Sequence, residues 1–411
     1  MLSHLIGYEN IPVNLAKFEG ISLSTMTRKR MLMIPGPSEV DPRVLAILSQ
    51  PILPHYGADW GQEYAIVLED LKKIFKTNEQ AIIFPGPGNG AVELVAMNII
   101  EPGDKIANVV NGWFGEILSE VIRTYGGEPV EIKTEYGHAI SPADIEAVLD
   151  QEKDVKALFV VHNETSSGVE NPIQGIGKVA KKHGVIYFVD AISSFGGVDI
   201  DLDSWNIDVC VGYPSKCLGG IHGAVPIAVG KRIWDEVDSR RSSIPSRFMS
   251  LKIWKKFIQE WGPIGHPFPT SMPTTVILAL HEAVKLALEE GLENRYRRHF
   301  VASAALRAGC KEIGFESLVS EEERSKTVTL LGVNGESKLR AILENKFNIM
   351  IAGGVSKLKG KAVRIGTMGV TASPSYVLPT LLALEVSARE LGLPVAPGIA
   401  VAEGSKIFQS G

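Results

Sequence analysis

The chain has 411 residues, 45% of them hydrophobic and 22% charged, with a formal net charge of −5. That length exceeds one ordinary hydrophobic core and predicts two domains. The mildly acidic balance gives no basic signature of a nucleic-acid or anionic-membrane binder.

Cys210, Cys217 and Cys310 stand outside any CxxC pair and read as reduced thiols of a cytoplasmic protein. No apolar run approaches the ~20 residues that span a bilayer. Residues 1–30 are broken by Gly, Pro and Asn and carry Glu9 and Glu19, so they read as a peripheral extension rather than a signal sequence.

From about residue 40, helical and strand-like patterns alternate. Helical periodicity covers Glu63–Phe75 and Gly90–Ile100. Seven apolar, strand-like runs are Gln80–Phe84, Lys105–Val110, Pro129–Ile132, Lys156–His162, Val185–Asp190, Val209–Tyr213 and Ala224–Val229. The alternation predicts an α/β fold, a mostly parallel sheet between helices, with ligand-binding loops at the strand C-termini.

The rhythm changes near Pro273. Long helices are expected over Thr274–Glu290 and Arg295–Ile313, then a strand Thr327–Leu331 and a helix Ser337–Phe347. Strands Ile349–Ala352 and Ala362–Ile365 follow, then a helix Tyr376–Leu391 with Pro379 in its first turns. The division is a large domain over 31–285, a smaller C-terminal α/β domain over 286–395, and a tail over 396–411.

Asp190 ends one apolar run, and Lys216 follows in the Ser/Gly-rich turn Gly212-Tyr213-Pro214-Ser215-Lys216-Cys217-Leu218-Gly219. An amine and a strand-end carboxylate suit pyridoxal 5′-phosphate, the amine forming a Schiff base and the carboxylate pairing the pyridinium nitrogen. Taken singly, each residue reads equally well as a loop lysine or a strand-end aspartate.

Pro85-Gly86-Pro87-Gly88-Asn89-Gly90 joins a strand to a helix, where backbone N–H groups can close on a phosphate. It lacks the GxGxxG spacing of a dinucleotide site. Ser215 offers a hydroxyl to the same phosphate. In Asn111-Gly112-Trp113-Phe114-Gly115 an aromatic is placed to lie on a ring, and Thr165 in His162-Asn163-Glu164-Thr165-Ser166-Ser167-Gly168 is placed to meet a ring hydroxyl. Core packing and a turn are the competing readings. Arg364, inside an apolar strand, needs an anionic partner, either a substrate carboxylate or a structural ion pair. Gly36 in Pro35-Gly36-Pro37-Ser38 brings backbone donors to the same carboxylate.

In this order the motifs resemble the class V group of fold-type I pyridoxal-phosphate aminotransferases, nearest to alanine–glyoxylate, serine–glyoxylate and serine–pyruvate aminotransferases. The resemblance runs from Pro35 to about Leu391. It implies a seven-stranded sheet, Lys216 as the Schiff-base lysine and Asp190 as the pyridinium partner. Phe114 takes the stacking place and Thr165 the ring oxygen. Pro87, Gly88, Asn89 and Ser215 surround the phosphate, and Arg364 grips the substrate carboxylate. No metal is implied. A homodimer with shared sites is, with Ser271 of His266-Pro267-Phe268-Pro269-Thr270-Ser271 reaching the phosphate of a second subunit.

Three stretches also look like pyridoxamine–pyruvate aminotransferase, which carries an acidic residue near the place of Pro87 and an arginine near that of Val355. This chain has neither. A cysteine desulfurase, a non-catalytic B6-binding relative and a nicotinamide oxidoreductase are the other readings, the last without its glycine spacing.

Overall fold

A computed structural model describes residues 30–410; the N-terminal extension, apart from Arg30, lies outside the described residues. The seven expected strands form one sheet. They are β1 (Gln80–Phe84), β2 (Lys105–Val110), β3 (Glu128–Lys133), β4 (Val155–Val161), β5 (Ile186–Asp190), β6 (Val209–Val211) and β7 (Val225–Val229). Their order is β1-β7-β6-β5-β4-β2-β3. All are parallel except β7, which runs antiparallel to both neighbours. β5 and β7 are buried along their whole length, as helices on both faces of a sheet require.

Helices follow the strands in the expected rhythm. Gly88–Ile99 follows β1, Trp113–Thr124 follows β2, Pro142–Gln151 follows β3 and Ile173–His183 follows β4. The starts are chemically marked: Ser141 accepts from the Asp144 N–H at the head of Pro142–Gln151. Such right-handed βα units put the loops after β1, β2, β4 and β5 on one rim.

A second core lies beyond Gly291, where the helices Thr274–Glu290 and Leu292–Glu312 meet. The first of these packs Ile277, Leu280 and Val284 into the core of the large sheet. The second contributes Ala302, Leu306 and Cys310 to the other core, with Leu331, Ile365 and Leu381. The two cores therefore divide within the helix Leu292–Glu312, between Leu292, which packs on the first, and Ala302, which belongs to the second. A three-stranded antiparallel sheet stands over this second core, Ala362–Gly366 in the middle between Val328–Gly332 and Ala352–Gly353.

Four local expectations differ from the structure. The run expected as one strand, Ile349–Ala352, splits: Ile349–Met350 pairs with Met31–Leu32, and Ala352–Gly353 turns to pair beside Arg364. Met33 accordingly sits in the second core, although its segment was expected with the large domain. The last long helix starts two residues earlier, at Pro374, leaving Pro379 in its second turn.

Finally, the stretch expected as a tail holds a helix, Ile399–Ser410, packed by Ala400 into the second core. The fully buried Glu385 carboxylate fastens it, accepting from Gly398 N (2.7 Å), Ala400 N (3.1 Å) and Arg389 (2.8 Å). Glu385→Ala strands two N–H groups and is expected to cost ~2–3 kcal/mol. A fall of several degrees in the thermal midpoint is the measurement; an unchanged midpoint contradicts the fastening.

Candidate active site

The rim loops converge on a cavity of about 300 Å³. Lys216 and Asp190 both line it, so the two residues on which the sequence reading rests face one space.

Lys216 sits in a wide turn, Pro214–Leu218, with φ −118° and ψ −124°, outside helical values. Its ammonium donates to the Pro35 carbonyl. Burial, helped by the Arg364 charge, brings the amine down to about 8. The Pro35–Ser38 turn is latched onto this lysine: Ser38 N donates to Ser215 O (2.9 Å) and Ser38 Oγ to Lys216 O (2.8 Å). Gly36 has φ +109°, and a Cβ there would fall 2.4 Å from Lys216 Nζ. The left-handed φ favours glycine, and a Cβ would displace the tip of the lysine side chain.

Asp190 closes β5 and accepts from Ile192 N at 2.9 Å. Burial raises its carboxyl to about 6. That folded value lies above the unfolded value near ~3.9. The resulting contribution to stability is complete below the unfolded value and is lost as pH rises through 6. In cofactor-free protein, Asp190→Asn is therefore expected to gain ~3 kcal/mol on the unmutated chain between acid and mildly alkaline pH. Thermal midpoints of both proteins at each end of that range test it, and parallel curves would contradict it.

Pro87, Gly88 and Asn89 line the same cavity at the start of the helix Gly88–Ile99, whose first N–H groups suit an anion. A Cβ on Gly88 would come 2.9 Å from Ile192 Cδ1. Ser215, Phe114 and Thr165 are also in the lining. Among the liners that the sequence reading gave no role are Tyr213 and His222. Tyr213 Oη lies 2.9 Å and Ser215 Oγ 3.2 Å from His222 Nδ1, a hydroxyl–imidazole cluster beside the lysine turn. Tyr213 stood in the run around Lys216, so its nearness to the lysine was the available signal.

A second cavity, about 740 Å³, adjoins the first and shares Gly36, Phe114, Thr165 and Lys216 with it. Arg364 lines this one. Its guanidinium donates only to carbonyls, Gly353 O at 2.9 Å and Thr165 O at 3.3 Å. Among the described residues it has no carboxylate partner, so the structural ion pair weighed for it is missing.

Ser271 is the one expected residue left, and two other members of the quoted motifs, Phe268 and His162, are core residues. Ser271 is exposed and does not line either cavity of this chain. Phe268 is fully buried against Tyr64 and His266, a core residue. His162 is buried, held neutral by desolvation that pushes it down to about 3.

The donor set fits a phosphorylated pyridine aldehyde: an amine of depressed basicity, a buried carboxylate across one cavity, a helix N-terminus with hydroxyls, and a glycine cradle that a Cβ would fill. The family model for class V aminotransferases matches residues 50–367.

The chain belongs to the class V aminotransferases.

Its cofactor is pyridoxal 5′-phosphate. An uncharacterized aminotransferase of Methanocaldococcus jannaschii is 38% identical, over 91% of this chain and 97% of its own length. The rat alanine–glyoxylate aminotransferase is 30% identical, covering 86% of each chain. The crystal structure of the ureidoglycine–glyoxylate aminotransferase of Bacillus subtilis superposes with a TM-score of 0.88 at 32% identity. That match spans 93% of this class V chain and 99% of the Bacillus chain.

Proposed function

We propose that this aminotransferase moves an amino group from a small amino acid, alanine or serine, to glyoxylate or pyruvate. One observation carries the reading: Lys216 and Asp190 share a cavity adjoining, through Gly36 and Phe114, one lined by the Arg364 guanidinium, which has no carboxylate partner among the described residues.

When bound, pyridoxal 5′-phosphate supplies an electrophilic carbon and a ring that accepts electrons. The chain supplies the rest. Lys216 Nζ, with a basicity near 8, takes a proton from the substrate Cα and returns it one position away. Asp190 would be held ionised by pairing a protonated ring nitrogen, which would offset the cost of its burial. Gly88, Asn89 and Ser215 would hold the phosphate, Thr165 would meet the ring oxygen and Phe114 would cover the ring. Arg364 binds the substrate carboxylate and so orients Cα toward Lys216.

The test is a matrix of amino donors against glyoxylate and pyruvate, with pyridoxamine included. Turnover of alanine or serine supports the reading. Turnover of pyridoxamine alone would replace it, although Pro87 and Val355 line the cavities without the charges of that branch. A desulfurase role is opposed by the burial of all three cysteines. A purely B6-binding role predicts no half-reaction with alanine.

The same proposal includes a homodimer. Ile52 (83% exposed), Tyr56 (62%), Ile264 (66%) and Trp261 (45%) form an apolar surface near the exposed Ser271. His55 and His266, 6.0 Å apart, tie the two stretches together. A double change, Ile52→Asp with Ile264→Asp, is expected to give monomers by sedimentation and weaker cofactor retention. Dimers that persist would remove this surface from the interface.

A further inference from the structure

No step above uses Glu164, yet its carboxylate is fully buried. It accepts three hydrogen bonds: from Gly115 N at 3.0 Å, from Ser166 N at 3.0 Å and from Ser166 Oγ at 2.6 Å. Ser166 Oγ in turn accepts from Trp113 N at 2.7 Å. Trp113 and Gly115 are the first and third residues of the helix Trp113–Thr124, and its cap residue, Gly112, has no side chain to satisfy them. Space is reserved for the arrangement, since a Cβ on Gly112 would fall 2.2 Å from Glu164 Cγ. Between the two anchored N–H groups stands Phe114, which lines both cavities.

We propose that Glu164 is a positioning residue that caps the helix Trp113–Thr124 from β4's loop and thereby fixes the Phe114 ring over the cofactor. A carboxylate suits the task because it accepts only, and all its donors here are N–H or O–H groups aimed inward. The next residue, Thr165, lines the cofactor cavity and receives the Arg364 guanidinium on its carbonyl. One short segment thus sets the stacking ring, the ring-oxygen contact and the carboxylate-binding arginine together.

This inference rests on the cofactor site proposed above. Its test is a double-mutant cycle on cofactor-loaded protein, read as visible-region circular dichroism and cofactor dissociation. Glu164→Ala is expected to weaken retention about 10-fold and flatten the dichroism, and Phe114→Leu to do the same. Combined, they should add no more than about 2-fold, because both act through one ring. Multiplying effects, or unchanged dichroism in Glu164→Ala, overturns the role. Should Glu164→Ala not fold, Ser166→Ala enters the same cycle with the same two outcomes. A missing cofactor band in the unmutated protein would defeat the site itself; a normal band with independent effects defeats only Glu164.

Discussion

Lys216→Ala is expected to lower turnover by ~10⁴-fold or more and to abolish the long-wavelength absorbance of the bound cofactor. Two losses coincide in this variant. The amine proposed to attach the cofactor is removed, and so is the proposed base, whose lowered value, about 8, matches a proton transfer near neutral pH. Together they amount to ~5 kcal/mol or more of transition-state stabilisation. The fold should survive, since the turn around Lys216 is held by backbone bonds such as Gly220 N to Pro214 O at 2.7 Å. Steady-state rates and an absorbance spectrum on the same preparation decide the matter. Undiminished activity in the alanine variant would falsify the assignment of the site.

Arg364→Ala should cost ~10²–10³-fold in kcat/KM, roughly 3–4 kcal/mol, for every amino acid donor. The guanidinium is held by two carbonyls and lines the larger cavity, so its removal deletes the charge without disturbing a salt bridge among the described residues. Cofactor absorbance should persist, which separates this variant from the previous one. A donor without a carboxylate should be nearly indifferent to the change. Equal losses for amines and amino acids would show that Arg364 acts on the strand rather than on the substrate. Arg364→Lys is expected to recover only part of the rate, because an ammonium lacks the planar fork.

The parts of this molecule that were readable in advance share a physical cause. β5 and β7 are buried along their whole length and β4 over its last five residues, so their apolar runs announced them without help from other regions. Asp190 and Arg364 stood out because a charge inside an apolar run is costly to bury and needs a reason. Gly36 was read as a donor to a carboxylate, but its tight approach to Lys216 joins residues 180 apart and has no local pattern. His222's bond to Tyr213, nine residues away, and Glu164's bond to Gly115, 49 residues away, likewise follow no local pattern. The terminal helix Ile399–Ser410 was missed because its anchor, Glu385, belongs to a different element. Ile349–Ala352 looked like one strand since hydrophobicity does not report which neighbour each residue pairs with.

The path of the chain from Met31 to Ser38 carries a mechanical consequence. At one end it is woven into the second core, where Gly366 N donates to Met33 O at 3.0 Å two residues from Arg364. At the other it is knotted to the peptide bearing Lys216. A ligand that tugs the arginine therefore pulls on the lysine through a short tether, and an unreactive carboxylate should shift the colour of the enzyme before any bond is broken.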